Sequence, residues 1–160
     1  LTGSREVMLA AARHTGCSVV EILQNCMIFN NGIHSAITDK EHRADRTIHI
    51  VHGQKMLFGK ENEKGLVRDG FFLKAVEIGK DGYTIDDVLV HDAHTPQNFL
   101  HQQLAMMDGT TLPVAVGVIR DVDAPAYDQE VAAQVEEVRS RKGFKSLRDM
   151  ILAGDTWTVE

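Results

Sequence analysis

A helix followed at once by a strand, near the start of the chain, is the feature that most constrains the fold. Residues 5–14, REVMLAAARH, place their apolar side chains at helical spacing, and Gly16 is a typical helix-ending glycine. The next run, CSVVEIL at 17–23, is β-branched and mostly apolar, which is typical of a strand buried in a parallel sheet. A helix, a short turn and a buried strand form half of a βαβ unit, so the sequence predicts an α/β fold.

The middle of the chain has the pattern of a small antiparallel meander. RTIHIVHG, residues 46–53, alternates so that Ile48 and Ile50 share one side of a strand. Four short apolar runs follow, separated by glycine and polar residues: KMLFG, KGLVRDG, FFLKAVEIG and DDVLVHD. Asp69-Gly70, between two of these runs, is the strongest hairpin signal in the chain.

Helical spacing returns after Thr95, a predicted N-cap with Pro96 at the first helical position. PVAVGVI, residues 113–119, is predicted to be a buried strand. A helix is expected from Tyr127 to a glycine terminator at Gly143, and a last short helix begins after a Ser146 cap.

Charge and composition exclude several classes of partner. The 160 residues carry a formal charge of −6, and the 17 lysines and arginines are scattered, so no nucleic-acid partner is expected. No apolar run reaches the roughly 18–20 residues of a membrane span, so no membrane partner is expected either. Two cysteines do not form a disulfide framework, and the predicted location is the cytoplasm.

Cys26 is the most conspicuous chemical group. It follows the predicted strand at 17–23, at the end of a strand where open α/β sheets hold their sites. It is either a small buried apolar side chain or a metal ligand or nucleophile. An iron–sulfur cluster takes about four thiolates, and the chain has two cysteines, of which Cys17 is read as structural.

A second candidate is the run His91-Asp92-Ala93-His94, whose imidazole and carboxylate groups suit zinc or iron. The competing interpretation is a hydrogen-bonded corner between a strand and a helix. No third ligand stands at a familiar spacing, and the glycine-rich phosphate-binding motifs are absent.

Five segments in this order resemble a known family. They are GCSVVEILQNCMIFNNG (16–32), HGQKMLFGKENEKGLVRD (52–69), VLVHDAH (88–94), PVAVGVIRDVDAPAYD (113–128) and GDTWTV (154–159). Together they resemble the C-terminal half of the β subunit of the 2-oxoacid:ferredoxin oxidoreductases, and the 2-oxoglutarate branch in particular.

The resemblance implies a catalytic subunit that carries thiamine diphosphate, Mg²⁺ and a [4Fe–4S] cluster. With an α subunit, it decarboxylates a 2-oxoacid oxidatively, here 2-oxoglutarate, to acyl-CoA and CO₂, and it reduces ferredoxin. A fragment of that subunit is expected to be inactive alone and to retain none of these cofactors. The alternative is a non-catalytic interaction domain derived from the family.

The resemblance also implies roles for individual residues. Cys26 matches the fourth ligand of the [4Fe–4S] cluster, whose other three ligands lie in an N-terminal half outside this chain. Asn25 and Asn30 are expected to line the cofactor pocket. No catalytic residue is assigned, and the ligands of Mg²⁺ and the diphosphate are expected outside this chain. Residues 1–45 are expected to end the thiamine-diphosphate-binding α/β domain, and residues 46–160 to form its extension of meander and helices as one continuous unit.

Overall fold

The computed structural model of the protein describes residues 2–143, 146–157 and 159, and the chain divides into two compact units. The first unit takes the residues up to His14 together with residues 18–122. The second takes residues 15–17 and the chain from Asp123 onward. The boundary expected after residue 45 refers to a cofactor-binding domain of a longer polypeptide and stays a prediction.

The described residues form helices and strands in an α/β arrangement. The helices are α1 (Thr2–Arg13), α2 (Ser35–Thr38), α3 (Arg43–Arg46), α4 (Phe99–Ala105), α5 (Tyr127–Lys142) and α6 (Leu147–Ile151), with a 3₁₀ turn at Ile85–Asp87. The strands are β1 (Thr47–Ile50), β2 (Leu57–Phe58), β3 (Lys64–Asp69), β4 (Phe72–Glu77) and β5 (Val114–Gly117).

The core of the first unit lies against a parallel pair of strands. β1 pairs with β5 in parallel, from Thr47 opposite Val114 to Ile50 opposite Gly117. Ile48 and Ile50 point into the core, as the alternation at 46–53 predicted, and they are 0% and 4% exposed. The rest of the core cluster lies on or next to β2, β3, β4 and α4: Met56, Phe58, Leu66, Leu73, Leu104 and Met107.

The predicted meander is confirmed for three of its runs, which form an antiparallel sheet in the order β2-β3-β4. The run at 46–53 is not part of it, because it contributes β1, which pairs in parallel with β5. Asp69 pairs with Phe72, so Gly70 and Phe71 form the two-residue loop of the hairpin. Gly70 has a φ of +62°, and a positive φ at the first loop residue is the pattern of a type II′ turn. The fourth run of the prediction is not a strand. It lies along the sheet through a bridge between Lys55 and Val90 and through the amide of Leu89, which donates to the carbonyl of Leu66 in β3 at 2.9 Å.

The predicted buried strand at 17–23 is wrong. These residues have no regular secondary structure, and Val19 and Ile22 are 91% and 73% exposed. The physical reason is the lack of a partner, since within the described part of the chain no strand pairs with this segment. The parallel pairing that the α/β prediction requires is made instead by β1 and β5.

The three later helices differ in how well they match the prediction. α4 begins at Phe99 and not at Pro96, because the Thr95 hydroxyl donates to the Gln97 side chain at 2.7 Å and so does not cap a helix. α5 ends as predicted at Gly143, whose φ is +60°. α6 is capped as predicted, because the Ser146 hydroxyl accepts the amide of Asp149 at 3.1 Å.

Candidate cofactor-ligand site

Cys26 lies at the start of a tight loop, residues 25–32, in the first unit. The amide of Asn30 donates to the carbonyl of Cys26 at 3.0 Å, and the two residues form an isolated antiparallel bridge. The amide of Phe29 donates to the Cys26 sulfur at 3.5 Å. The loop therefore folds its own backbone amides over the thiol.

These amides stabilise the thiolate. The amide of Phe29, followed by that of Ile28, holds the pKa of the Cys26 thiol below its ordinary value, because a donor to sulfur favours the charged form. The thiolate is the form that acts as a metal ligand. Cys26 is half-buried and Cys17 is exposed, so neither behaves as the small core side chain that was the competing interpretation.

The side chain of Asn25 holds the loop closed. Its Oδ1 accepts the amide of Gly32 at 2.7 Å, and its Nδ2 donates to Oδ1 of Asn31 at 2.9 Å. Asn30 contributes its backbone to the bridge with Cys26, while its side chain is exposed. The structure thus places the three predicted site residues in one loop, and the side chain of Asn25 holds the two ends of that loop together.

The tip of the loop is apolar and faces solvent. Met27, Ile28 and Phe29 are 75%, 86% and 89% exposed. Together with Val19, Ile22, Leu23 and Ile33 they make residues 18–33 an exposed apolar segment. Contiguous apolar surface of this kind usually marks an interaction site.

The loop fits one ligand of a [4Fe–4S] cluster. It offers a single partly exposed thiol, whereas the cluster takes about four thiolates. No group of three or more histidine, cysteine, aspartate or glutamate side chains within residues 2–143, 146–157 and 159 is arranged to hold a metal ion. A single thiol is compatible with such a cluster only if the other ligands lie outside the described residues.

The histidines at 91 and 94 do not form a metal site in the described part of the chain. His91 Nε2 lies 2.9 Å from the carbonyl of Val118, and His94 Nδ1 lies 2.6 Å from the carbonyl of Asp121. Each imidazole therefore donates to the main chain, which confirms the hydrogen bonding of the predicted corner. The corner does not join a strand to a helix, because no strand of the described chain directly precedes His91 and α4 begins only at Phe99.

Two arrangements are not predicted from the sequence. The Asn-Asn-Gly signal marks the turn, but the hydrogen bonds of Asn25 to Gly32 and Asn31 are seen only in the structure. The second is the grouping of Lys40, Arg43 and Lys55 around one groove. No local signal shows that clustering, because it depends on how β1 and β2 pack.

Comparison with known proteins shows that the chain is similar to a subunit of a 2-oxoacid oxidoreductase, and this confirms the resemblance found in the sequence. The relative is the 2-oxoglutarate oxidoreductase subunit KorB of Mycobacterium tuberculosis. The two are 35% identical over 161 residues, which cover 99% of this chain.

The chain spans 42% of the length of this curated relative. No model of a protein family matches the chain, and no solved structure matches it. Among the residues that the structure describes, no helix is both long enough and apolar enough to cross a membrane.

Proposed function

We propose that this chain is the C-terminal half of the β subunit of a 2-oxoacid:ferredoxin oxidoreductase that acts on 2-oxoglutarate in the cytoplasm. The reaction is the oxidative decarboxylation of the 2-oxoacid to acyl-CoA and CO₂, coupled to the reduction of ferredoxin. The observation that carries the proposal is the 35% identity to KorB along 99% of the chain. The relative is a subunit of a 2-oxoglutarate oxidoreductase, and the α subunit, coenzyme A and ferredoxin are part of the proposal.

In this proposal Cys26 is the fourth ligand of the [4Fe–4S] cluster. The sulfur would bind one iron as a thiolate, the charge state that the amides of Phe29 and Ile28 favour. Donors to the sulfur also influence the reduction potential of such a cluster. Asn25 keeps the loop in place by its bonds to Gly32 and Asn31.

The remaining cofactors are thiamine diphosphate and Mg²⁺. When bound, thiamine diphosphate stabilises the carbanion left by decarboxylation. We assign no ligand of Mg²⁺ or of the diphosphate to this chain. The exposed side chain of Asn30 is proposed to line the cofactor pocket, and Asn25 to support it from the same loop.

The exposed apolar segment, residues 18–33, is proposed to contact the rest of the same subunit. The matched relative has more than half of its length outside the region of similarity. An apolar, β-branched run that pairs with no strand among the described residues is suited to join a sheet formed with that further polypeptide. Residues 1–45 would then complete the thiamine-diphosphate-binding domain.

The test is made in the complete natural polypeptide, assembled with its α subunit. Cys26→Ala should lower the iron content and abolish or alter the electron paramagnetic resonance signal of the reduced cluster. Cys17→Ser is the matched control, because Cys17 is an exposed thiol in the second unit, and it should leave the signal unchanged.

An unaltered cluster signal in Cys26→Ala would refute the assignment of this residue. A complete polypeptide that binds neither iron nor thiamine diphosphate would instead support the alternative, a non-catalytic interaction domain.

A further inference from the structure

A groove of about 470 Å³ lies beside β1 and β2 in the first unit. Its charged and ionisable lining consists of Lys40, Arg43, His49 and Lys55, and no carboxylate lines it. We call these four residues and the space between them the basic groove. It is unexpected in a chain that has 23 acidic and 17 basic side chains.

The charges of the basic groove are largely uncompensated. Within the described residues, Lys40 and Arg43 have exposed side chains that make no ion pair or side-chain hydrogen bond. Lys55 donates to the carbonyl of Ile85 and lies 3.5 Å from Asp86, whose side chain is 94% exposed. Like charges held around one concave surface repel one another, and an anion between them would offset that repulsion.

A neighbouring cavity of about 270 Å³ shows what a compensated site looks like in this protein. Phe58 lines both spaces. In the smaller one, Lys64 pairs with Asp45 at 2.6 Å, and Arg46 donates to the carbonyl of Gly109 at 3.1 Å. Its cations are therefore already engaged by partners within the protein, whereas Lys40 and Arg43 are not.

The size and walls of the basic groove suit a small organic anion. Its volume lies within the roughly 300–1,000 Å³ of small-molecule sites. Leu57 and Phe58 supply apolar lining next to the cations, and Gln54 adds a side-chain amide. Guanidinium matches the geometry of phosphate oxygens, and the lysine ammonium adds a compact positive charge.

We propose that the basic groove binds a small phosphorylated molecule, whose phosphate oxygens accept hydrogen bonds from Arg43 and Lys40. The proposal rests on the lining and the unpaired charges of the groove and does not depend on the proposed function. An experiment that refutes one of these two proposals therefore does not refute the other.

The test is isothermal titration calorimetry, which measures the affinity of the complete natural polypeptide for inorganic pyrophosphate. Thiamine diphosphate and excess Mg²⁺ are present at equal, saturating concentrations in the cell and the syringe. Pyrophosphate is then added as its Mg²⁺ complex in every titration and cannot occupy a thiamine site. The double variant Lys40→Gln/Arg43→Gln should bind pyrophosphate at least tenfold more weakly. Arg43→Lys should retain part of the affinity, because it keeps the charge and loses the forked donor geometry.

Arg68→Gln is the matched control. Arg68 is an exposed arginine of β3 that does not line the groove, so this variant should bind as the unaltered protein does. All the substituted side chains are exposed, and circular dichroism verifies that each variant is folded.

Two outcomes would overturn the proposal. One is an equal affinity for pyrophosphate in the double variant and in Arg68→Gln. The other is the lack of saturable binding by the unaltered protein up to a concentration on the order of 10 mM, which is weaker than small-molecule sites require.

Discussion

The pKa of the Cys26 thiol is lowered by backbone amides of its own loop, that of Phe29 first. Asn25 accepts a hydrogen bond from the amide of Gly32 and so ties the two ends of this loop together. If this tie keeps the amides beside the sulfur, Asn25 acts on the thiol through the loop. This dependence leads to a prediction that does not require any cofactor.

In a Cys17→Ser background, where Cys26 is the remaining thiol, the pH midpoint of alkylation by iodoacetamide should lie below that of an ordinary cysteine. The pKa of Cys26 is lowered by the amides of Phe29 and Ile28, and only the thiolate is nucleophilic. Adding Asn25→Ala should open the loop and move the midpoint back towards the ordinary value.

Asn98→Ala is the control for the loss of an asparagine, because Asn98 caps α4 without a side-chain hydrogen bond. A midpoint that Asn25→Ala and Asn98→Ala leave equally unchanged would show that the loop does not tune this thiol.

The burial of His91 makes the stability of the protein depend on pH. It is 0% exposed, and its Nδ1 has no hydrogen-bond partner among the described residues. Burial, helped by the nearby His101, lowers the pKa of His91 in the folded protein. The unfolded chain takes up this proton near the ordinary pKa of about 6.5, and the folded protein does so only at lower pH.

The free energy of unfolding should therefore fall as the pH drops below about 6.5, by at most about 1.4 kcal/mol per pH unit from this group. Urea unfolding at a series of pH values measures the slope. His91→Gln, which keeps a donor for the carbonyl of Val118, should flatten it. His34→Gln is the control, because His34 is only half-buried, and it should change the slope less. Equal slopes in the two variants would contradict the assignment.

At the scale of elements, the parallel pair of β1 and β5 depends on a very close approach of two backbones. Gly117 has a φ of +135°, and a Cβ built there would lie 2.4 Å from the carbonyl oxygen of Ile50. Both the backbone conformation and the contact exclude a side chain. The glycine in PVAVGVI is thus a structural requirement of the pair.

Gly117→Ala should lower the free energy of unfolding by about 2 kcal/mol or more, because it combines backbone strain with a steric clash. Urea unfolding provides the measurement. Gly154→Ala is the control, since a Cβ there meets nothing within 4 Å, and its effect should stay within about 0.5 kcal/mol. Similar stabilities of the two variants would show that β5 shifts to accommodate the methyl group.

The elements also show what a sequence can predict and what it cannot. Alternation correctly predicted which side of β1 is buried, and Asp69-Gly70 correctly predicted the hairpin, because both signals are local. The run at 17–23 has the composition of a buried strand, but burial depends on a partner strand that the described chain does not supply. In the site, the loop at 25–32 was recognisable as a turn, whereas the basic groove required the packing of β1 against β2.

For the whole molecule, the exposed apolar segment is the feature that the proposed function has to explain. Phe29 is 89% exposed, and its neighbours Met27 and Ile28 are almost as open. If the rest of the subunit covers this segment, the side chain of Phe29 is buried in the complete protein. Replacing Phe29 then lowers the free energy of unfolding by more than its exposure in this chain would predict.

In the complete natural polypeptide, Phe29→Asp should therefore lower the free energy of unfolding by about 3 kcal/mol, because a charge would replace a large apolar side chain in a buried contact. Phe71→Asp is the matched control, since Phe71 is 78% exposed at the tip of the β3–β4 hairpin, and it should cost less than about 1 kcal/mol. Thermal and urea unfolding of both variants make the comparison. Equal small effects would mean that no further polypeptide covers residues 18–33, and the proposal that this segment joins the rest of a larger subunit would then be wrong.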